Sequence, residues 1–144
     1  MGDSEMIIKN ILIGEDIRQE VGNKISLMGI LGSSLNIDIQ SDTPKDTPVM
    51  LSFALLISIE NTNQANDPKD YKVLISMSIG ENKLVDMTAR IESTGIQGIS
   101  HLPVPRFELG VTETTRLSVY VQVVKNDTLV SECTAILDII LNRI

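Results

Sequence analysis

Apolar and polar side chains alternate through most of this 144-residue chain. Between residues 51 and 59, for example, Leu51, Phe53, Leu55, Ile57 and Ile59 occupy every odd position. A period of two is typical of a β-strand with one buried and one solvated face, whereas an amphipathic helix has a period near 3.6. The pattern therefore predicts a chain built of strands, with no long amphipathic helix.

Turn residues separate the alternating runs. Gly22-Asn23 is typical of a type II′ hairpin turn, because the first central position of that turn needs a positive φ. The segments 80–83 and 125–128 indicate two further tight hairpins. The predicted strands are 6–17, 24–31, 34–40, 49–60, 71–79, 83–92, 115–124 and 129–141. Together they predict an all-β antiparallel two-sheet β-sandwich of about eight strands, Ig-like or C2-like, in a single domain spanning 1–144.

Three connections are longer than a turn: 42–48, which holds two prolines, the polar segment 61–70, and 93–114. If each strand reverses the one before it, 61–70 and 93–114 lie at one end of the sandwich. The tight hairpins and 42–48 then lie at the other end. We expect a ligand to dock at the end with the longer loops, because loops on a rigid scaffold carry most recognition.

The segment 102–107 within the last of these connections reads Leu-Pro-Val-Pro-Arg-Phe. Proline cannot donate a hydrogen bond to a strand ladder, so the segment is interpreted as an extended crossover between the two sheets. Leu102, Val104 and Phe107 are predicted to be partly buried, and Arg106 is a candidate binding residue.

The final predicted strand is apolar on both faces over 136–141, apart from Asp138. Such a strand either lies centrally in its sheet or pairs with another copy of the chain. A homodimer through this strand is therefore one expectation.

Charge and composition exclude several classes of function. The net charge is −7, and aromatic residues make up 3% of the chain. An acidic surface repels phosphates, and few rings are available for base stacking, so no nucleic-acid partner is expected. The N-terminus is acidic where a signal peptide would be basic, and no apolar run has the length of a membrane span. The expected location is therefore the cytoplasm, with no membrane partner.

Glu15, Asp16, Arg18 and Glu20 form the densest charge cluster. Carboxylates beside an arginine are suited to binding or acid/base chemistry. Adjacent strand residues point to opposite faces, however, so a solvated, ion-paired stretch of the first strand is the competing interpretation.

Four other residues are of types that can carry chemistry. Asp67 and Asp70 lie in an oxygen-rich loop, but the ligand spacing of a dedicated calcium loop is absent, which favours a solvated loop. His101 is the single histidine and has no catalytic or metal-binding partner at a recognisable spacing. Cys133 is the single cysteine, excludes an intramolecular disulfide, and shares the parity of apolar neighbours, so it is expected to pack as a small hydrophobe. No metal ion or cofactor is expected.

The segment 13–32, together with the later segments 102–105 and 120–127, resembles a family of small uncharacterised bacterial and phage proteins. Members of that family open with an acidic Glu-Asp-Ile-Arg hairpin and end in a sandwich-like pair of strands. The resemblance implies a β-sandwich of bacterial or phage origin. It implies no activity and no site residues.

These residues support two functional hypotheses. The favoured one is a non-enzymatic protein-binding or assembly module that acts through the loops at one end of the sandwich or through strand-edge oligomerisation. The alternative is a small-ligand- or metal-binding sandwich, or a hydrolase, that uses Glu15, Asp16, Arg18 and the loop containing His101. The candidate binding residues are Glu15, Asp16, Arg18, Asp67, Asp70, His101 and Arg106.

Overall fold

The computed structural model describes residues 5–22, 24–91 and 98–144. The described chain is nearly all β, as the alternation predicts, and contains one short 3-10 helix, Pro68–Asp70. None of its helices is long and apolar enough to cross a membrane. Its strands are β1 Met6–Gly14, β2 Asp16–Glu20, β3 Lys24–Met28, β4 Ser34–Ile39, β5 Val49–Asn61, β6 Tyr71–Ile79, β7 Asn82–Arg90, β8 Ile99–Val111, β9 Thr115–Lys125 and β10 Thr128–Arg143.

Three sheets organise these strands. One has the order β1-β5-β8, a second has the order β4-β10-β9-β6-β7, and β2 and β3 form a separate hairpin. Buried side chains of β1, β5 and β8 and of β6, β9 and β10 belong to one hydrophobic cluster. The odd positions of β5 from Phe53 to Ile59 lie in this cluster, because alternation along the strand turns them all to the same side.

The predicted first strand, 6–17, is two strands in the structure. The chain leaves β5 after Gly14, and the backbone N–H of Glu15 donates to the carbonyl of Met28 at 2.8 Å. A Cβ at Gly14 would lie 2.8 Å from the Leu27 side chain, so glycine permits this close approach of β1 to β3. Gly22 has the positive φ expected of the hairpin turn, while Asn23 lies outside the described residues.

The interpretation of 102–107 as a crossover between sheets is wrong. The segment lies inside β8, which pairs antiparallel with β5 from Ile99 to Val111. Two prolines suggested a break in the ladder, but a strand at the edge of a sheet tolerates proline where the missing N–H points away from its neighbour. Leu102, Val104 and Phe107 are partly or fully buried, as predicted. Residues 92–97, which include the predicted end of the sixth strand and part of the long connection, lie outside the described residues.

Because β8 is a full strand, the predicted distribution of loops between the two ends changes. Tyr71 is in register with Lys125, so the 126–127 turn lies at the same end as the 62–70 loop rather than at the opposite end. Gly98 also lies at this end, since a Cβ there would be 2.9 Å from the Asn61 carbonyl oxygen. One missed strand reverses the direction of every later strand, and this explains the error.

The last strand is central rather than an edge. β10 pairs antiparallel with β9 from Thr128 to Ile139 and parallel with β4 from Asp138 to Arg143. The parallel pair makes this sheet mixed, in contrast to the fully antiparallel prediction. Asp138, the single polar residue of 136–141, accepts a hydrogen bond from Arg116 of β9 at 2.7 Å. Cys133 is half-buried and packs against the core cluster, which agrees with its predicted role.

Candidate functional site

An apolar cleft of about 690 Å³ lies between β7 and β8. β7 is the last strand in the sheet of order β4-β10-β9-β6-β7, and β8 is the last strand in the sheet of order β1-β5-β8. Each therefore has one edge without a strand neighbour among the described residues. The cleft has the size of sites that take small molecules or several side chains of a partner. Its walls are formed by Ile75, Met77, Leu84, Val85, Met87, Ala89, Leu102, Pro103, Val104, Pro105, Phe107, Glu108, Leu109 and Gly110.

Local sequence explains how both strands turn apolar side chains toward the cleft. On β7, alternation places Val85, Met87 and Ala89 on the core side. On β8, the register with β5 shifts between the pairs Leu55–Val104 and Phe53–Phe107. Such a bulge inserts one extra residue and changes the parity of the residues after it. Even-numbered side chains before the bulge and odd-numbered ones after it therefore reach the same cleft.

Charged side chains on the two strands mostly form local pairs. Lys83 lies 2.9 Å from Asp86 on β7, and Arg106 lies 3.1 Å from Glu108 on β8. The hydrogen bond from Lys83, followed by one from Ser76, holds the pKa of Asp86 below its usual value. Both ion pairs are exposed, so they contribute little to stability, and they frame an otherwise apolar cleft.

A second, smaller cleft brings together three of the predicted binding residues. Glu15, Asp16 and Arg106 line a space of about 400 Å³ beside Phe53. Glu15 is exposed and lies in the break between β1 and β2, so it does not point to the core. Asp16 accepts a hydrogen bond from the backbone N–H of Ile17 at 2.8 Å. Two carboxylates beside an arginine favour a polar or cationic ligand here.

The other predicted residues lie elsewhere. Arg18 is exposed on β2 and forms no ion pair within the described part of the chain. The side chain of Asp67 caps the 3-10 helix by accepting from the N–H of Lys69 at 3.0 Å. Asp70 lines a separate cleft near the 126–127 turn. Across the described ranges, no group of three or more His, Cys, Asp or Glu side chains is arranged to hold a metal ion.

His101 has a partner that the sequence analysis missed. Its Nδ1 lies 2.8 Å from the hydroxyl of Ser58, which is buried and faces it across the β5–β8 ladder. The two residues are 43 positions apart, so no spacing rule could have joined them. No carboxylate of the described chain contacts His101, so this pair lacks the third member of a catalytic triad.

The apolar cleft was also missed, although β8 carried a signal for it. Prolines at 103 and 105 within an apolar run indicate an edge strand, and an edge strand is where two packed sheets open to solvent. Its opposite wall on β7 could not be inferred, because β7 and β8, although consecutive along the chain, belong to different sheets and meet only through the packing of those sheets.

Tyr71 lies at the start of β6 and is fully buried. Its hydroxyl donates to Glu5 at 2.9 Å, and the Lys125 ammonium lies 5.5 Å from the centre of its ring. Burial, followed by the hydrogen bond to Glu5, raises the pKa of Tyr71 to about 12. The neutral phenol is therefore favoured in the folded chain.

This raised pKa predicts a loss of stability at high pH. The stabilisation is complete below pH 10, the unfolded value, and disappears as the pH rises toward 12, by about 2 kcal/mol. Tyr71→Phe should remove most of that pH dependence, as measured by urea unfolding from about pH 9 to about pH 12. Tyr120→Phe is the comparison: the hydrogen bond that Tyr120 donates to Glu132 also raises the pKa of Tyr120, but this ring is only half-buried on β9, so its removal should take away less of the pH dependence. Parallel losses in the wild type and in Tyr71→Phe would contradict the assignment.

Comparisons with known proteins add only distant structural similarity. No protein-family model matches the chain, and no curated protein matches it. Among solved structures, the chain is similar to the CooA pilin subunit from enterotoxigenic Escherichia coli, with a TM-score of 0.38 and 11% identity. The similarity covers 92% of this chain and 99% of the pilin. At this level it supports no conclusion about function.

Proposed function

We propose that this chain is a non-enzymatic protein-binding module that holds an extended apolar segment of a partner protein in the cleft between β7 and β8. The observation that carries the proposal is the cleft itself, where apolar side chains of both strands meet beside two strand edges without neighbours in the described chain. Burying such a surface is favourable at about 25 cal/mol per Å² of apolar area. Recognition of extended segments at sheet edges is a common mode of peptide binding.

The architecture proposed to present this cleft is a two-sheet sandwich, Ig-like or C2-like. The shared hydrophobic cluster of the β1-β5-β8 sheet and the β4-β10-β9-β6-β7 sheet supports it. We further propose a bacterial or phage origin, from the resemblance of 13–32, and a cytoplasmic location, which the unpaired thiol of Cys133 favours.

A protein partner is proposed rather than a substrate for chemical reasons. Among the described residues, Glu108 is the single charged side chain in the cleft walls, whereas the carboxylates Glu15 and Asp16 and the Ser58–His101 pair lie outside these walls. An apolar cleft with so few reactive groups is suited to packing rather than to proton transfer.

The alternative hypothesis of a small-ligand site keeps one supporting observation. Glu15, Asp16 and Arg106 share the smaller cleft, but Arg18 and His101 do not line it. Titration calorimetry with spermidine, a small polycation, would favour this second site if binding were lost in Glu15→Gln.

Binding of a defined peptide tests the main proposal. The probe is the capped nine-residue peptide Gln-Val-Thr-Val-Thr-Val-Thr-Val-Gln, which alternates apolar and polar side chains. We expect a Kd of about 1 to 100 μM by titration calorimetry, with changes in the methyl NMR signals of cleft residues. Leu84→Asp should weaken binding at least about tenfold, because it places a charge in the apolar wall.

Leu129→Asp is the matched control. Leu84 is 44% exposed and Leu129 is 47% exposed, but Leu129 lies on β10, away from the cleft. Both variants should fold, and only the first should lose affinity. A second peptide of the same composition, with its four valines consecutive, should bind more weakly than the alternating one. Equal binding of both peptides, or equal effects of both substitutions, would contradict the proposal.

A further inference from the structure

The two strand edges beside the cleft are not equivalent. β8 carries Pro103 and Pro105, and a strand proline sits where its missing N–H would have pointed away from the paired neighbour. β8 therefore lacks two outward donors in the middle of the cleft. Pro105 itself lies within the bulge between the pairs Leu55–Val104 and Phe53–Phe107, and this bulge bends the edge further.

The edge of β7 is better suited to pairing. Its register with β6 is regular from Val85 to Arg90, and the bulge at Leu84 interrupts only the other end. This six-residue stretch contains no proline, and in a strand every second N–H and carbonyl points toward the free side. A segment that pairs with 85–90 would find a complete set of partners.

A strand added to β7 would also cover the cleft. Its side chains alternate between the two faces of the sheet, so one half of them would extend the core face formed by Val85, Met87 and Ala89. These side chains would face Leu102, Val104 and Phe107 on the opposite wall. The apolar cleft thus selects an apolar residue at every second position of the incoming strand.

On the solvent face of the added strand, charge favours particular residues. Arg90 is in register with Lys72 of β6, both are exposed, and neither forms an ion pair within the described residues. Like charges directly opposite each other on a sheet repel. On a chain whose net charge is −7, two cations that form no ion pair among the described residues favour a carboxylate on a strand added beside β7.

We infer that the partner is another protein whose extended segment pairs its backbone with residues 85–90 of β7 and places a carboxylate beside Arg90, with Lys72 of β6 adding its positive charge from one strand further away. This inference rests on the proposed function. A second copy of the chain is disfavoured as the occupant, since two molecules of charge −7 repel each other.

Amide hydrogen exchange tests the edge assignment with the same peptide. At about ten times its Kd, the peptide should slow exchange about tenfold at every second residue of 85–90. The amides of β8 should change much less. Protection on β8 instead, or changes in cleft methyl signals without protection on β7, would overturn this inference and leave the proposed function standing. No change at the cleft at all would overturn both.

The charge assignment has its own test. Peptides ending in Glu at both ends should bind about threefold more tightly than the Gln-ended peptide, and Lys-ended peptides more weakly, despite the acidic protein. The double substitution Lys72→Gln with Arg90→Gln should abolish this preference, whereas Lys24→Gln, at an exposed position on β3, should preserve it. A preference for the Lys-ended peptide would overturn the assignment. So would β7 protection that rises with protein concentration without peptide, because it would indicate a second copy.

Discussion

Phe53→Ala is expected to lower the free energy of unfolding by about 3 to 5 kcal/mol, the largest stability effect predicted for this chain. Phe53 is 1% exposed and lies in the shared hydrophobic cluster. The loss combines the transfer free energy of the ring with the cost of the cavity.

Phe107→Ala provides the matched comparison. The two rings face each other across the β5–β8 ladder with centroids 6.0 Å apart, but Phe107 is only half-buried, at the cleft wall. We expect a smaller loss, of about 1 to 2 kcal/mol, together with weaker peptide binding. Chemical denaturation measured by circular dichroism checks the first effect, and calorimetry checks the second. Similar destabilisation by both substitutions would show that Phe53 is not the core residue described here.

Gly98→Ala is expected to lower the free energy of unfolding by about 2 to 4 kcal/mol. Gly98 has a φ of +76°, a region that disfavours side chains, and a Cβ there would lie 2.9 Å from the Asn61 carbonyl oxygen. The contact is with backbone at the end of β5, which cannot rotate away as a side chain would. The substitution should therefore disturb the start of β8 and its packing against the end of β5.

Two other glycines separate backbone strain from steric contact. Gly22 has a φ of +83°, but a Cβ there meets no described atom within 4 Å, so alanine should cost about 1 kcal/mol. Gly32 has neither a positive φ nor a close neighbour, so alanine there should change stability by less than about 0.5 kcal/mol. Urea unfolding of the three alanine variants measures the order of their losses in free energy of unfolding. If Gly98→Ala lowers the free energy of unfolding by no more than Gly22→Ala does, the predicted steric contact with the Asn61 carbonyl is contradicted.

The strands that alternate most regularly were predictable from the sequence. The predicted bounds of the fifth strand, 71–79, equal those of β6, and the predicted 49–60 differs from β5 by one residue. The hairpin at 80–83 was also predictable: Gly80 has a positive φ, and β6 pairs antiparallel with β7. Both features depend on neighbours along the chain, where the order of residue types carries the information directly.

The errors have a common origin in contacts between distant residues. The prolines of β8 mark an edge strand rather than a break, but the sequence shows only that they cannot donate. The pairing of β4 with β10 joins residues about a hundred positions apart, and no local signal sets its parallel direction. The candidate site obeys the same rule, since Glu15, Asp16 and Arg106 meet while Arg18 and His101 remain apart.

The sequence by itself determined that this chain is built of strands, where most of them lie, and which face of each is buried, because side-chain alternation is a property of the strand alone. Only the tertiary structure decided which strands pair, that β10 is central, and that β7 and β8 are left as edges beside an apolar cleft. Those choices depend on how buried faces from distant parts of the chain pack against one another. That packing free energy belongs to the whole fold and to no single stretch of residues.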